Sequence, residues 1–326
     1  MKAAVYREYG SADVVKCEDI PKPVPQDNEV LIKVRAASVN PLDWRLMKGD
    51  PAILRLFFGL RKPRRGRPGR DVAGQVEAVG RNVTQFKPGD EVFGACAGTI
   101  AQYACAEESN LVTKPVNVTF EQAASVPVVA LTALQGLRDK GQIQRGHKVL
   151  INGAAGGVGT FAVQLARTFG AEVTGVCSTR NLELVKSIGA DTVIDYTKED
   201  FTKLATRYDL ILECVGNKTF SECRRVLNPK GRLVGVGAPH DVSLIVILAQ
   251  ATKDLFVSLF SNQKAVMFIA KSGQQDLTHL GELLANGKLT PVIDRVYDLN
   301  EAAEALRYLE YGHARGKVVI EVSSEQ

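Results

Sequence analysis

With 326 residues, 45% of them hydrophobic, and a net charge of +5, the chain has the make-up of a soluble globular protein of about two domains. So mild a charge does not call for nucleic acid, and the longest apolar run, Val242–Ala249, is far too short to span a bilayer. Met1–Arg7 has no apolar signal core, and six scattered cysteines without a Cys-x-x-Cys read as reduced core thiols of a cytoplasmic protein.

The first 125 residues predict an all-β region. Ala3–Tyr6, Val30–Val34, Val72–Val79 and Glu91–Gly94 are short strand candidates separated by Pro, Gly and Asn clusters. Lys87-Pro88-Gly89-Asp90 is a turn, and strands at this spacing suggest a small barrel. After Glu121 the pattern changes to alternating strands and helices. The strands are Lys148–Ile151, Glu172–Cys177, Thr192–Ile194, Leu210–Cys214, Arg232–Val236 and Ala265–Ile269. Glycines such as Gly170 and Gly189 end the helices between them, and six such strands match a doubly wound sheet. From Gln274 onward two amphipathic helices precede Lys317–Val322, a strand with no place in that sheet and expected to return to the barrel.

The α/β half turns on one stretch, Lys148 to Gly159. A buried strand leads into Gly153-Ala154-Ala155-Gly156-Gly157-Val158-Gly159, and a helical pattern follows from Val158 to Phe169. The turn fits the dinucleotide fingerprint G-x-G-x-x-G with Ala154 at the first glycine position. Gly156 leaves room for a pyrophosphate, Gly159 lets helix and strand pack closely, and the N–H groups of the helix start favour phosphate.

The order barrel, doubly wound sheet, returning tail resembles the medium-chain dehydrogenase/reductase superfamily, and within it the quinone oxidoreductases, including the chloroplast-envelope type. Ala37–Asp43, Gly69–Gly74, Lys87–Val92, Ala155–Gly159 and Gly312–Lys317 carry the resemblance across most of the chain. It implies a GroES-like catalytic domain over residues 1–125, completed by the tail from about 271 to 326, and a Rossmann NADPH-binding domain over 126–270. Relatives that use zinc hold it with cysteine, histidine and cysteine. Here Asn40, Arg70 and Val128 or Val129 stand at those positions, and an amide, a guanidinium and an alkyl group cannot supply a tetrahedral N/S set. His147, His240, His279 and His313 show no metal-ligand spacing. The chain therefore predicts no metal. It also has neither the Tyr-x-x-x-Lys pair of short-chain dehydrogenases nor a Gly-x-Ser-x-Gly elbow.

The second strand of the α/β half ends in Cys177-Ser178-Thr179-Arg180, with no carboxylate to bind ribose hydroxyls. Ser178 can donate a hydrogen bond and Arg180 can pair with a 2′-phosphate, which favours NADPH. The resemblance implies that Tyr196 lies beside the adenosine phosphate and that Thr132 meets the nicotinamide ribose. It implies that Ala155, Gly156, Gly157, Val158, Cys214, Val215, Gly237, Phe268 and Ala270 line the cofactor. Arg315 and Gly316 are expected to reach it from the tail.

The chemistry expected is metal-free hydride transfer to an enone, an enal or a quinone. Asn40 is the candidate donor beside the nicotinamide, with Asp43 as a second catalytic candidate. Asp71 reads either as part of this site or as an anchor for Arg70 or a backbone turn. Many relatives carry a tyrosine a few residues past the asparagine, where this chain has Trp44 and Arg45. A greasy run, Pro51–Leu60, precedes Arg61–Arg70 with six cations. This segment reads as a solvated loop over an active-site cleft, as a peripheral membrane contact, or as a nucleic-acid patch. The alternative function is a non-catalytic NADPH-binding protein docking on a membrane, RNA or protein partner through that loop. Partners are otherwise a small-molecule substrate, in a monomer or homodimer.

Overall fold

A computed structural model describes residues 1–50, 54–64, 66–237, 252–253, 261–312 and 314–322. The run Val242–Ala249, the segment Pro51–Ile53, Arg65, His240 and His313 lie outside the described residues. The chain forms two compact units. One comprises Met1–Val128, Ser272–Gly287 and the segment from Pro291 on; the other comprises Val129–Lys271 and Lys288–Thr290.

The first unit begins with β1 (Lys2–Tyr6), β2 (Val15–Asp19) and the long β3 (Glu29–Val39). Helices α1 (Pro41–Lys48) and α2 (Leu54–Phe58) follow, then β4 (Asp71–Val79), β5 (Glu91–Ala95), β6 (Tyr103–Glu107) and β7 (Leu111–Thr113). Two helices, α3 (Phe120–Ala124) and α4 (Pro127–Gln135), lead into the second unit.

There β8 (Lys148–Asn152), α5 (Gly157–Thr168), β9 (Glu172–Cys177), α6 (Leu182–Ser187) and β10 (Thr192–Asp195) build the first half. The second half holds β11 (Tyr208–Glu213), α7 (Phe220–Cys223), β12 (Leu227–Gly235) and β13 (Lys264–Met267). The six strands are parallel in the order β10-β9-β8-β11-β12-β13, the doubly wound order with its switch between β8 and β11. Residues on both faces are buried, so these strands read as continuous apolar runs: Val149, Leu150 and Ile151 are all at 0% exposure.

The tail supplies α8 (Gln274–Ala285), β14 (Ile293–Asp298), α9 (Ala302–Glu310) and β15 (Lys317–Glu321). β15 pairs antiparallel with β3, giving a seven-stranded sheet in the order β14-β15-β3-β4-β5-β7, with β6 on β3. The chain is thus an α/β protein with a barrel-like sheet and a doubly wound sheet, as its pattern predicts. The core of the first unit combines Ile32, Val34 and Val72 with Leu306, Val318 and Ile320 of the tail. Burying each such side chain contributes roughly 1.5–3 kcal/mol. The cysteines depart from expectation, since Cys17 is exposed on β2 and only Cys177 and Cys223 are fully buried.

Candidate active site

β3 lies between β4 and β15, with Ser38 paired to Asp71 and to Val319. This register brings Ser38, Asn40, Asp71 and Lys317 to one end of the sheet, all at 3% exposure or less. Asn40 is the extended residue before α1, and Pro41 opens the helix where a missing N–H costs nothing. Asp43, three residues on, returns its Oδ2 to the Asn40 backbone N–H at 2.7 Å.

The side chain of Asn40 is used elsewhere. Its Nδ2 donates to Asp71 Oδ2 at 2.8 Å, and its Oδ1 accepts from Lys317 Nζ at 2.8 Å. A lysine can only donate and an ionised carboxylate can only accept, so the two charges fix which way the amide faces. Nδ2 carries two N–H groups, and one of them makes no bond among the described residues. Asp71 Oδ2 also accepts from Ser38 Oγ at 2.6 Å and from Lys317 Nζ at 3.2 Å. Its Oδ1 takes the Val128 backbone N–H at 2.8 Å. Asp71 therefore anchors Asn40, Lys317 and the start of α4; no bond to Arg70 exists among the described residues. Lys317 escaped the sequence reading as a site residue. Its signal was a cation opening an apolar strand, with an acid opening another.

Asp43 is also buried, and its Oδ1 accepts the Gly69 N–H at 3.0 Å. Burial pushes its carboxyl up to about 6, against the pull of the two backbone N–H groups. The folded state thus holds this proton more tightly than the unfolded chain, where the group titrates near ~4. Its stabilising contribution is full below ~4 and is lost as pH rises through ~6. We predict that the stability difference between wild type and Asp43→Asn shifts in favour of wild type by up to about 3 kcal/mol from pH ~8 to ~4. Urea unfolding across that range reads it, and a flat difference rejects it.

In the second unit, the turn after β8 takes its left-handed residue one place before the fingerprint, at Gly153 with φ 81°. Ala154 fits at the first fingerprint position because β9 has Gly175 opposite. A Cβ on Gly175 would stand 3.1 Å from that of Ala154. Gly159 is needed for packing, since a Cβ there would lie 2.1 Å from Gly153 O. Gly156, before α5, is different. A Cβ there would meet only Gly153 O at 3.4 Å, so the protein itself leaves the space above it open. A dinucleotide pyrophosphate fits that cradle, with Ala155, Gly156, Gly157 and Val158 presenting the helix start.

Neighbouring strand ends meet the same edge. β9 and β10 pair Cys177 with Asp195, which sets Ser178 next to Tyr196, with Arg180 in the turn that follows. Tyr196 is exposed and its N–H is bonded to Cys177 O. Asn181 Nδ2 donates to Ser178 Oγ, and Asp195 accepts from Thr179 and Thr197. After β11, Cys214 and Val215 pass so close to Gly237 that a Cβ there would fall 2.1 Å from Cys214 O. Glu213, unnoticed in the sequence, shapes this turn. Its buried carboxylate accepts from Asn152 Nδ2, Val215 N and Gly216 N. Burial raises its pKa. Thr132 is on α4, and Gln135 of the same helix exchanges two hydrogen bonds with Lys271, just past Phe268 and Ala270. Phe268 lies against Gly136.

Arg315 and Gly316 belong to the first unit. The Arg315 N–H donates to Asp294 Oδ2, and Gly316, φ 93°, would clash with Val292 O at 2.2 Å if it bore a Cβ. The glycine is therefore required by the approach of β15 to the chain before β14.

Comparison with known proteins bears on this pairing of units. An alcohol dehydrogenase GroES-like domain model matches residues 26–116, and a zinc-binding dehydrogenase model matches 188–320. A 2-methylene-furan-3-one reductase from Solanum lycopersicum is 36% identical, covering 98% of this chain and 79% of its own. An NADPH-dependent alkenal/one oxidoreductase, chloroplastic, from Arabidopsis thaliana is 35% identical over the same shares. The solved quinone oxidoreductase of Coxiella burnetii is 33% identical, with TM-score 0.86 over 99% of each chain. The chain belongs to the quinone oxidoreductase branch of the medium-chain dehydrogenase/reductase superfamily.

A member of this superfamily is an oxidoreductase that works with a nicotinamide dinucleotide. The zinc in one family description does not fit the residues present. Asn40 has its amide oxygen bonded to Lys317, Arg70 is a cation, and Val128 and Val129 have no donor. Among the described residues no group of three or more His, Cys, Asp or Glu could hold a metal. Nor is any helix among them long and apolar enough to cross a membrane.

Proposed function

We propose that this dehydrogenase/reductase is an NADPH-dependent, metal-free reductase of activated double bonds, in enones, enals or quinones. The observation that carries the reading is the buried Asn40 amide, held in one orientation by Asp71 and Lys317, in a chain that also has a dinucleotide turn. When bound, the cofactor supplies a hydride from its nicotinamide ring. Asn40 offers its remaining N–H to the acceptor oxygen, where negative charge grows as the conjugated system is reduced. Because both its partners are charged and buried, the amide does not reorient during reaction. Water supplies the proton.

A steady-state assay with 1,4-quinones, alkenals and simple alcohols, using stereospecifically deuterated NADPH, tests this. Deuterium at the β-carbon of an enal supports it. Efficient oxidation of simple alcohols, or tight NADPH binding with no turnover of any enone or quinone, favours the non-catalytic alternative.

The NADPH preference rests on Ser178 and Arg180. Removing a charge-assisted pair costs ~1.5–3 kcal/mol, so Arg180→Ala should weaken NADPH roughly ten- to a hundredfold while leaving NADH nearly unchanged. Calorimetry reads both, and unchanged NADPH affinity rules out the assignment.

A membrane contact is supported by α2 and the residues after it. Leu56, Phe57 and Leu60 are 59%, 71% and 68% exposed, beside exposed Arg61, Lys62 and Arg64. Anionic lipid attracts such cations by ~1 kcal/mol each. Sedimentation should show binding to vesicles containing phosphatidylglycerol, lost in Phe57→Ser; no binding at low salt rejects it.

A further inference from the structure

Beside Asp43 the first unit holds a partly open cavity of about 120 Å³, lined by Tyr6, Asp43, Arg67, Gly69 and Arg70. Leu46 and Phe58 add apolar wall. Ligand pockets for whole small molecules run to ≈300–1,000 Å³, so this one suits a single head group.

Its polar lining is one-sided. Neither the Arg67 nor the Arg70 guanidinium has an acceptor among the described residues, and the Tyr6 hydroxyl bonds to none there either. Tyr6 is only 4% exposed. Burial pushes its hydroxyl up to about 12, so it stays protonated and able to donate. The one acid in the lining, Asp43, has both oxygens occupied by the backbone N–H groups of Asn40 and Gly69. Donors without acceptors in a partly apolar pocket are completed by an anion, and guanidinium groups match a carboxylate in planar geometry. Asp43 joins this cavity to Asn40, because its carboxyl grips the Asn40 backbone.

We propose that the cavity is a carboxylate subsite, in which Arg70, Arg67 and Tyr6 hold an anionic group carried by the acceptor. The preferred substrates are then conjugated carbonyl compounds that bear a carboxylate. This rests on the reading of the chain as a double-bond reductase. It also divides the basic segment, since the half-buried Arg70 and the exposed Arg67 line the cavity while Arg61, Lys62 and Arg64 are exposed and outside its lining.

The test compares 4-oxopent-2-enoate with its methyl ester, which share one enone and differ in charge. Binding of the saturated probe 4-oxopentanoate is followed by calorimetry. Wild type should show a higher kcat/KM on the acid, and Arg70→Gln should cut the acid-to-ester preference about ten- to a hundredfold. Arg67→Gln and Tyr6→Phe should cut it less, and they keep the test open if Arg70→Gln folds poorly. Binding of 4-oxopentanoate should weaken in the same order. Equal turnover of acid and ester by wild type, without 4-oxopentanoate binding, would overturn the subsite and leave the reductase reading intact. Arg70-dependent binding of 4-oxopentanoate without turnover of any acceptor would support the anion site and remove the reductase. A preference unchanged in both arginine variants would overturn the proposal.

Discussion

Replacing Lys317 with methionine should lower the unfolding free energy by about 3–5 kcal/mol. The ammonium lies 3.2 Å from Asp71 Oδ2, and the two side chains are 3% and 0% exposed. The variant fills most of the same space, so packing changes little. What it leaves is an Asp71 carboxylate sealed from water and served only by Ser38, Asn40 and the Val128 N–H. An uncompensated buried charge is far more costly than the absence of the whole pair. Adding Asp71→Asn to Lys317→Met should therefore recover part of the loss, a coupling that urea unfolding of the single and double variants measures. A loss below about 1 kcal/mol for Lys317→Met would mean that water reaches the pair as it reaches an ordinary surface ion pair.

Asn40→Ala should slow turnover by up to about a thousandfold, the ~2.7–4 kcal/mol at stake in one preorganised donor. The alanine also takes one hydrogen bond each from Lys317 Nζ and Asp71 Oδ2, which keep their direct contact, so thermal unfolding must be measured alongside. If Asn40 acts on the acceptor, kcat falls while NADPH affinity barely moves. If it serves only to join two charges, stability falls and kcat per folded molecule is kept. That second outcome would remove Asn40 from the chemistry.

How much of this was legible follows from how far apart the interacting residues are. The strands of the doubly wound sheet are buried on both faces, and each was readable as a local apolar run. Glu172–Cys177 has the bounds that pattern gives. The short strands β2, β6, β7 and β14 were not read. β2 buries only Val15 of its five residues, so alternation is lost in charge. The glycine turn after β8 was legible because its glycines are closely spaced constraints on one backbone. The compensation between Ala154 and Gly175 was not, since it depends on which strands are neighbours. Lys317 is the extreme case. Its partners Asn40 and Asp71 are 277 and 246 residues away, and only strand pairing brings them into contact. Arg70 and Tyr6 share a cavity for the same reason.

The position of β15 on β3 also sets an order of events during synthesis. A chain emerging from the ribosome makes β3, β4 and β6 early, yet β15, which covers the Ala36–Val39 end of β3, comes far later. Until then Asp71 lacks its counter-charge and the Val39 edge of β3 has no partner strand. The doubly wound unit has all six strands in hand sooner and can form as domains generally do during elongation. A nascent chain stalled before Lys317 would then hold a formed glycine turn after β8 and an open-edged barrel with a hydrated Asp71. Release of β15 would seal that edge and orient Asn40 in one step.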